Sequence, residues 1–327
     1  MRIIGRRRWD VVSLAAFACC FAPTVGSAQS PLWSAWESFI ESTLGPIKGT
    51  IIVPTGAGHV PLVVIIAGSG PTDRDGNGPM ARPNNLRQLA EALADRGIAS
   101  LRYDKRGIAG SAGAAMTELD LRFEMYADDA AGWVKKYRAD PRFGAIVIIG
   151  HSEGSLLGML ATQRAAADGF VSVAGTARRA DRVLHDQLAA QLPPPLLAQA
   201  DSVLDALVAG KTVDNSPPML AALFRPSVQP YIISWFKYAG SVEIARLRVP
   251  TLIVQGTSDI QVAPAEADSL KLAMPSAQLL VFAGMNHVMK STPPGRAEQM
   301  FAYSDPTVPL SAGLADSVAA FVKRARK

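Results

Sequence analysis

"IVIIGHSEGSLLG", Ile146–Gly158, decides the fold. Five consecutive apolar or small residues, Ile146–Gly150, read as a fully buried strand. Gly150-His151-Ser152-Glu153-Gly154 follows as G-x-S-x-G, and "SLLGMLATQRAAA" continues as a helix. A serine between strand and helix in this spacing sits on a tight, strained turn that lifts its hydroxyl above a sheet. Side chains at Gly150 or Gly154 would collide with the neighbouring strand and helix. The helix N-terminus offers N–H groups to developing negative charge. Ser152 is therefore expected to be a nucleophile.

A serine hydroxyl needs a base, and the chain has only 4 histidines. His59 lies in an early turn-rich segment, His151 adjoins the serine and is expected to point away from it, and His185 lies in a helical stretch. His287, in the loop "FAGMNHVMK" after the last strand, stands where such an elbow recruits its base. Asp259 in "IVQGTSDIQV" follows the penultimate strand and is expected to hold the base in one tautomer. Asp104, Glu266 and Asp268 are its rivals. The order Ser152, Asp259, His287 is that of nucleophile, acid and base in hydrolases built on this elbow. The N–H of Glu153 should supply one oxyanion donor and that of Ser69 the other, with Gly70 as fallback.

Ser69 belongs to "GSGPTDRDGNGP", Gly68–Pro79. Asp73, Asp75, Asn77 and Gly78 there mimic the start of a calcium loop. A strand precedes it, Asn84 stands where the closing glutamate belongs, and prolines interrupt it. The acidic residues are read as turn formers. Ser234 and Lys237 in "SWFK" form S-x-x-K, but no K-T-G follows, so packing by the adjacent aromatics is the expectation.

Strand-like and helix-like segments alternate after about residue 45, which implies βαβ units and a mainly parallel sheet. "KGTIIVP" and "VPLVVIIAG" flank "TGAGH" and read as a hairpin. The rhythm breaks over residues 176–244, a strand-free helical stretch with Pro193-Pro194-Pro195 and a cluster of aromatics.

With 49% hydrophobic and 19% charged residues the chain is expected to be globular. Residues 1–28 read as a signal peptide: Arg2, Arg6, Arg7 and Arg8, an apolar run from Val11 to Ala22, and Gly26-Ser27-Ala28 as cleavage site. An N-terminal membrane anchor is the rival. Removing this segment takes both cysteines, Cys19 and Cys20, and lowers the net charge from +5 to about +2. The exported chain, periplasmic or secreted, would then have no thiol chemistry, no stable membrane association and no basic stripe for nucleic acid.

Six stretches carry a resemblance: "AGSGPTDRDGN", "LRYDKRG", "GHSEG", "RPSVQPYIISWFKY", "PTLIVQGTSDIQV" and "GMNHVMK". Together, over about residues 62–290, they resemble a bacterial carboxylesterase subgroup of the α/β-hydrolases, close to serine-aminopeptidase-like hydrolases. The resemblance implies an α/β-hydrolase fold, with the core in 29–175 and 245–327 and a helical cap in 176–244. It implies a Ser152–Asp259–His287 triad acting on small-molecule esters without cofactor or metal. Trp235 and Phe236 in the cap are the expected substrate-binding residues. The alternatives are an aminopeptidase or amidase, with Glu153, Asp201 or Asp205 receiving the amine, and a non-catalytic binding protein.

Overall fold

The computed structural model describes residues 32–325, apart from 57, 116 and 294. The expected signal segment, residues 1–28, lies outside the described residues.

Among the described residues eight strands form one sheet: β1 (Trp33–Ile40), β2 (Ile47–Pro54), β3 (Val60–Ile66), β4 (Ala99–Tyr103), β5 (Phe143–His151), β6 (Gly169–Val173), β7 (Thr251–Gly256) and β8 (Gln278–Phe282). Their spatial order is β1-β2-β4-β3-β5-β6-β7-β8. From β4 to β8 every pairing is parallel, and β1–β2 and β2–β4 are antiparallel. The expected hairpin of β2 and β3 does not form. β2 pairs with β1 and β4, and β3 lies between β4 and β5. Burial explains the choice: β3 is apolar at nearly every position and needs cover on both edges and both faces. β1 escaped the sequence reading because its residues are mostly exposed, so no inward-facing pattern marks it.

The main helices are α1 (Asn85–Ala94), α2 (Phe123–Arg138), α3 (Glu153–Ala165), α4 (Ala180–Ala189), α5 (Pro194–Val208), α6 (Ala221–Phe224), α7 (Gln229–Trp235), α8 (Gly240–Ala245), α9 (Pro264–Ala273), α10 (Arg296–Ser304) and α11 (Leu314–Arg324). α4 to α8 form the expected strand-free stretch between β6 and β7.

Alternation along each strand sends side chains to opposite faces. Leu62, Val64 and Ile66 of β3 join Ile146 and Ile148 of β5 in a core with α2, α3 and α9. Val63, Ile65, Val147 and Ile149 join a second core with α1 and α11. Cover on both faces is why these strands read as unbroken apolar runs.

The chain runs from β3 out to β4, then crosses back to β5 on the other side of β3. In an open α/β sheet the crevice at the carboxyl ends of the strands where the order reverses is the favoured ligand position. Here it is flanked by the turn after β3 and the turn after β5. These turns carry Ser69 and Ser152.

Candidate active site

Ser152 occupies the turn from β5 to α3 with φ 55 and ψ −123. A non-glycine residue at positive φ holds strain that its surroundings must impose. Packing imposes it. A Cβ on Gly150 would lie 2.1 Å from the Gly154 carbonyl oxygen, and one on Gly154 would lie 2.4 Å from the Ile66 oxygen of β3. Only glycines let α3 start this close to the sheet. The Ser152 N–H donates to the Val173 carbonyl at 2.9 Å, which anchors the turn to β6.

The turn after β3 passes over the same point: a Cβ on Gly68 would stand 3.2 Å from Ser152 Cβ. Neither the Ser69 nor the Glu153 N–H finds an acceptor among the described residues. A first-turn helix N–H such as that of Glu153 lacks an intrahelical partner by construction.

His287 and Asp259 meet in the adjoining loops. His287 Nδ1 and Asp259 Oδ2 are 2.9 Å apart, and both residues are buried. With the Nδ1 N–H donating its hydrogen bond to Asp259, Nε2 carries the ring lone pair. Burial alone would raise the Asp259 carboxyl. Facing His287 and accepting the Gln261 and Val262 N–H groups at 2.8 and 2.9 Å outweigh this and hold its pKa below the usual aspartate range. Gln255 Nε2 donates to Oδ2 as well, at 3.2 Å.

His151 does not point away. Its ring centroid lies 4.8 Å from that of His287, and its Nε2 is 2.8 Å from the His287 carbonyl oxygen. The geometry makes Nε2 the donor, so the elbow and the histidine loop are tied together. Burial, with repulsion from His287 second, lowers the His151 pKa to about 4.

The rival residues have other partners. Asp104 accepts from the Arg74 backbone at 2.7 Å, from its guanidinium, and from the Gly110 N–H at 3.0 Å, so it braces two loops. Glu266 accepts the Ala177 and Arg178 N–H groups. Asp73 Oδ1 accepts the Asp75 and Asn77 N–H groups at 2.8 and 2.9 Å, and Asp75 pairs with Arg102, as turn formers do. Ser234 Oγ donates to the Tyr231 carbonyl and receives the Phe123 N–H, while Lys237 lies beside Glu124.

A buried polar network beneath the crevice escaped the sequence reading. Lys105 Nζ donates to the Gly68 carbonyl at 2.6 Å and stands 3.4 Å from Glu153 Oε1. Tyr231 on α7 donates to that same oxygen at 2.7 Å. All three residues are buried. A lysine directly after a strand-end aspartate in "LRYDKRG" was the available signal, but its partners lie far away in sequence.

A cavity of about 60 Å³ opens at Ser152 and is lined by Ser69, Leu156, Trp235 and Val262 among others. Of the two expected substrate-binding residues, Trp235 reaches this cavity. Phe236 is 4% exposed and packs in the core.

The sequence matches the family model described as serine aminopeptidase, S33, over residues 81–226, a span that contains Ser152 and much of the helical insertion. Esterase EstD of Thermotoga maritima is 31% identical over 268 residues, which is 79% of this chain and 63% of that protein. The chain thus spans less than two thirds of the length of this relative. Among solved structures, GrgF from Penicillium sp. sh18 superposes with a TM-score of 0.56 at 16% identity, covering 90% of this chain and 99% of that one. Est1E from Butyrivibrio proteoclasticus gives 0.55 at 16%, covering 88% and 96%.

The chain has the α/β-hydrolase fold.

In this α/β-hydrolase fold the two turns at the point of strand reversal bring Ser152, Ser69 and Glu153 to one cavity. Gln261 and Val262, which hold the Asp259 carboxylate, form another part of its wall.

Proposed function

We propose that this chain is a serine carboxylesterase. The observation that carries the reading is Ser152 on its strained elbow, with the His287–Asp259 pair tied to that elbow through His151.

Ser152 Oγ attacks the ester carbonyl carbon while His287 Nε2 takes its proton. The carbonyl oxygen gains the charge and is held by the Ser69 and Glu153 N–H groups. The carbon–oxygen bond to the alcohol breaks, and His287 returns the proton to the departing oxygen. Water then adds to the acyl-enzyme by the same route, freeing the acid and restoring Ser152. Asp259 keeps the Nδ1 proton in place and stabilises the imidazolium. The steps sum to ester plus water giving acid plus alcohol, with no cofactor.

The helical stretch 176–244 acts as a cap over the crevice, and Trp235 is its contribution to the cavity wall. An aminopeptidase would need a carboxylate for the substrate ammonium. Glu153 is committed to Lys105 and Tyr231, Asp201 to His185 at 2.6 Å, and Asp205 is exposed and is not part of the wall of the Ser152 cavity, which favours an ester over an amine-terminal peptide. The substrate is a small-molecule ester, as the likeness to EstD suggests. The Arg-rich N-terminal segment argues for export to the periplasm or medium.

A fluorophosphonate probe should label the protein, with hydrolysis of short p-nitrophenyl esters lost in parallel. In Ser152→Ala both should vanish, with turnover falling by about a millionfold. Labelling that persists in Ser152→Ala overturns the assignment.

A further inference from the structure

A second cavity of about 360 Å³ adjoins the first. The turn after β3 is the partition. Ser69 lines the small cavity with Ser152, and the next residues, Gly70 and Pro71, line the large one. The buried network also reaches both cavities. Glu153 borders the small cavity, and the two side chains that hold its carboxylate, Lys105 and Tyr231, border the large one. An ester carbonyl oxygen seated on the Ser69 and Glu153 N–H groups would sit on the rim between the two chambers.

We infer that the large chamber is the acyl site, shaped for a ring-bearing carboxylic acid with a neutral hydrogen-bonding group at its far end. This rests on the serine esterase reading. The direction of the substrate follows from the proton. His287 must reach the departing oxygen. Gln261 and Val262, whose N–H groups bind Asp259, line the small chamber, so that chamber lies on the acid–base arm and takes the alcohol. The acyl part then turns across the partition.

Size agrees with this division. Pockets for ring-sized ligands run from roughly 300 Å³ upward, and only the large chamber reaches that range. The wall chemistry sets the rest. Ile108, Leu121, Val228 and the Tyr126 ring supply apolar surface. At one wall Glu118 is clamped by Arg225, whose Nε donates to it at 2.8 Å, and by the Ser227 hydroxyl. Lys105 faces Glu153, and Arg225 faces Glu118. Among the described residues no lining charge is left over to bind an ionised group. A hydroxyl can still donate to Glu118 or accept from Arg225.

The test is kcat/KM for two ester series on the full chain. One series is the methyl esters of acetic acid and of a hydroxyphenylpropanoic acid. The other is acetates of methanol and of phenylethanol. Enlarging the acyl group should raise kcat/KM by about tenfold or more, because a ring leaves water. Enlarging the alcohol should not. Ala115→Trp, which fills the large chamber, should erase the acyl preference, so that the ratio of ring ester to acetate falls about tenfold. Indifference to the acyl group, or a preference that follows the alcohol, overturns the assignment with or without a folded variant. If methyl acetate is hydrolysed and Ser152 is labelled, that failure belongs to the chamber alone. If no ester is hydrolysed and Ser152 stays unlabelled, the esterase reading falls and this inference falls with it.

Discussion

Tyr231, on a helix of the insertion, donates its hydroxyl hydrogen bond at 2.7 Å to Oε1 of Glu153, the residue next to Ser152. The same oxygen faces Lys105, whose ammonium holds the carbonyl of Gly68. The insertion, the elbow and the turn that carries Ser69 thus share one buried network. Burial and the neighbouring Glu153 charge raise the Tyr231 phenol well above its usual range, so it remains a donor at all working pH values.

Removing Lys105 should leave Glu153 a buried charge without its cation and free the Gly68 carbonyl. Breaking such a pair costs about 3–5 kcal/mol. Lys105→Met should lower stability in urea and cut kcat by about tenfold or more with KM little changed, because the oxyanion turn loses its brace. Adding Glu153→Gln should restore stability but not kcat. A double variant that recovers both would make the network purely structural. Tyr231→Phe should cost about 1–3 kcal/mol, the loss of one hydrogen bond to a charged group.

Asp259→Asn should keep the fold and lower turnover by about a thousandfold or more, since an amide no longer fixes the Nδ1 proton of His287. Circular dichroism should be unchanged. If Asp104→Asn proved the damaging change and Asp259→Asn mild, the acid would have been misplaced.

Stability should fall as the solution is made acidic, and His151 should account for part of the fall. Its folded pKa is about 4, below the ordinary 6.5. Between these values the unfolded chain binds a proton that the folded chain does not, so stability rises with pH through this window and is flat above it. One proton over that span amounts to about 3 kcal/mol. Asp259, whose folded pKa is depressed, adds stability above the ordinary carboxylate range that is lost at still lower pH. Urea unfolding at several pH values should show a shallower slope between pH 4 and 6.5 in His151→Gln, which keeps a donor for the His287 carbonyl. An unchanged slope would remove His151 from the account.

Trp235 and Phe236 are adjacent but should behave differently. Trp235 lines the cavity at Ser152, whereas Phe236 is core. Trp235→Ala should shift the ratio of kcat/KM between short and long esters. Phe236→Ala should instead lower stability by about 3–5 kcal/mol, with substrate ratios preserved. Equal, substrate-independent losses in both variants would show that Trp235 only packs.

Much of the site was legible because its signals are local. G-x-S-x-G between an apolar strand and a helix specifies a turn within a dozen residues, since only glycine fits where Gly150 and Gly154 press on neighbouring backbone. Asp259 and His287 were found from their places after strands, and they meet at 2.9 Å. The parallel sheet followed from alternating apolar runs and helices.

The sequence by itself therefore determined the fold class, the elbow and the candidate residues of the crevice. Tertiary structure alone decided the pairings. β2 joins β1 and β4 rather than β3, because which edge a strand fills depends on what covers it. Lys105 meets Gly68 and Glu153, separated from it by 37 and 48 positions. His151 meets the carbonyl of His287 across 136. The division of the crevice into a small and a large chamber also exists only where the turn after β3, the elbow and the insertion converge. Backbone turns are governed by neighbours in the chain, and so leave a pattern. A buried charge or a cavity is governed by neighbours in space, which no short stretch of sequence records.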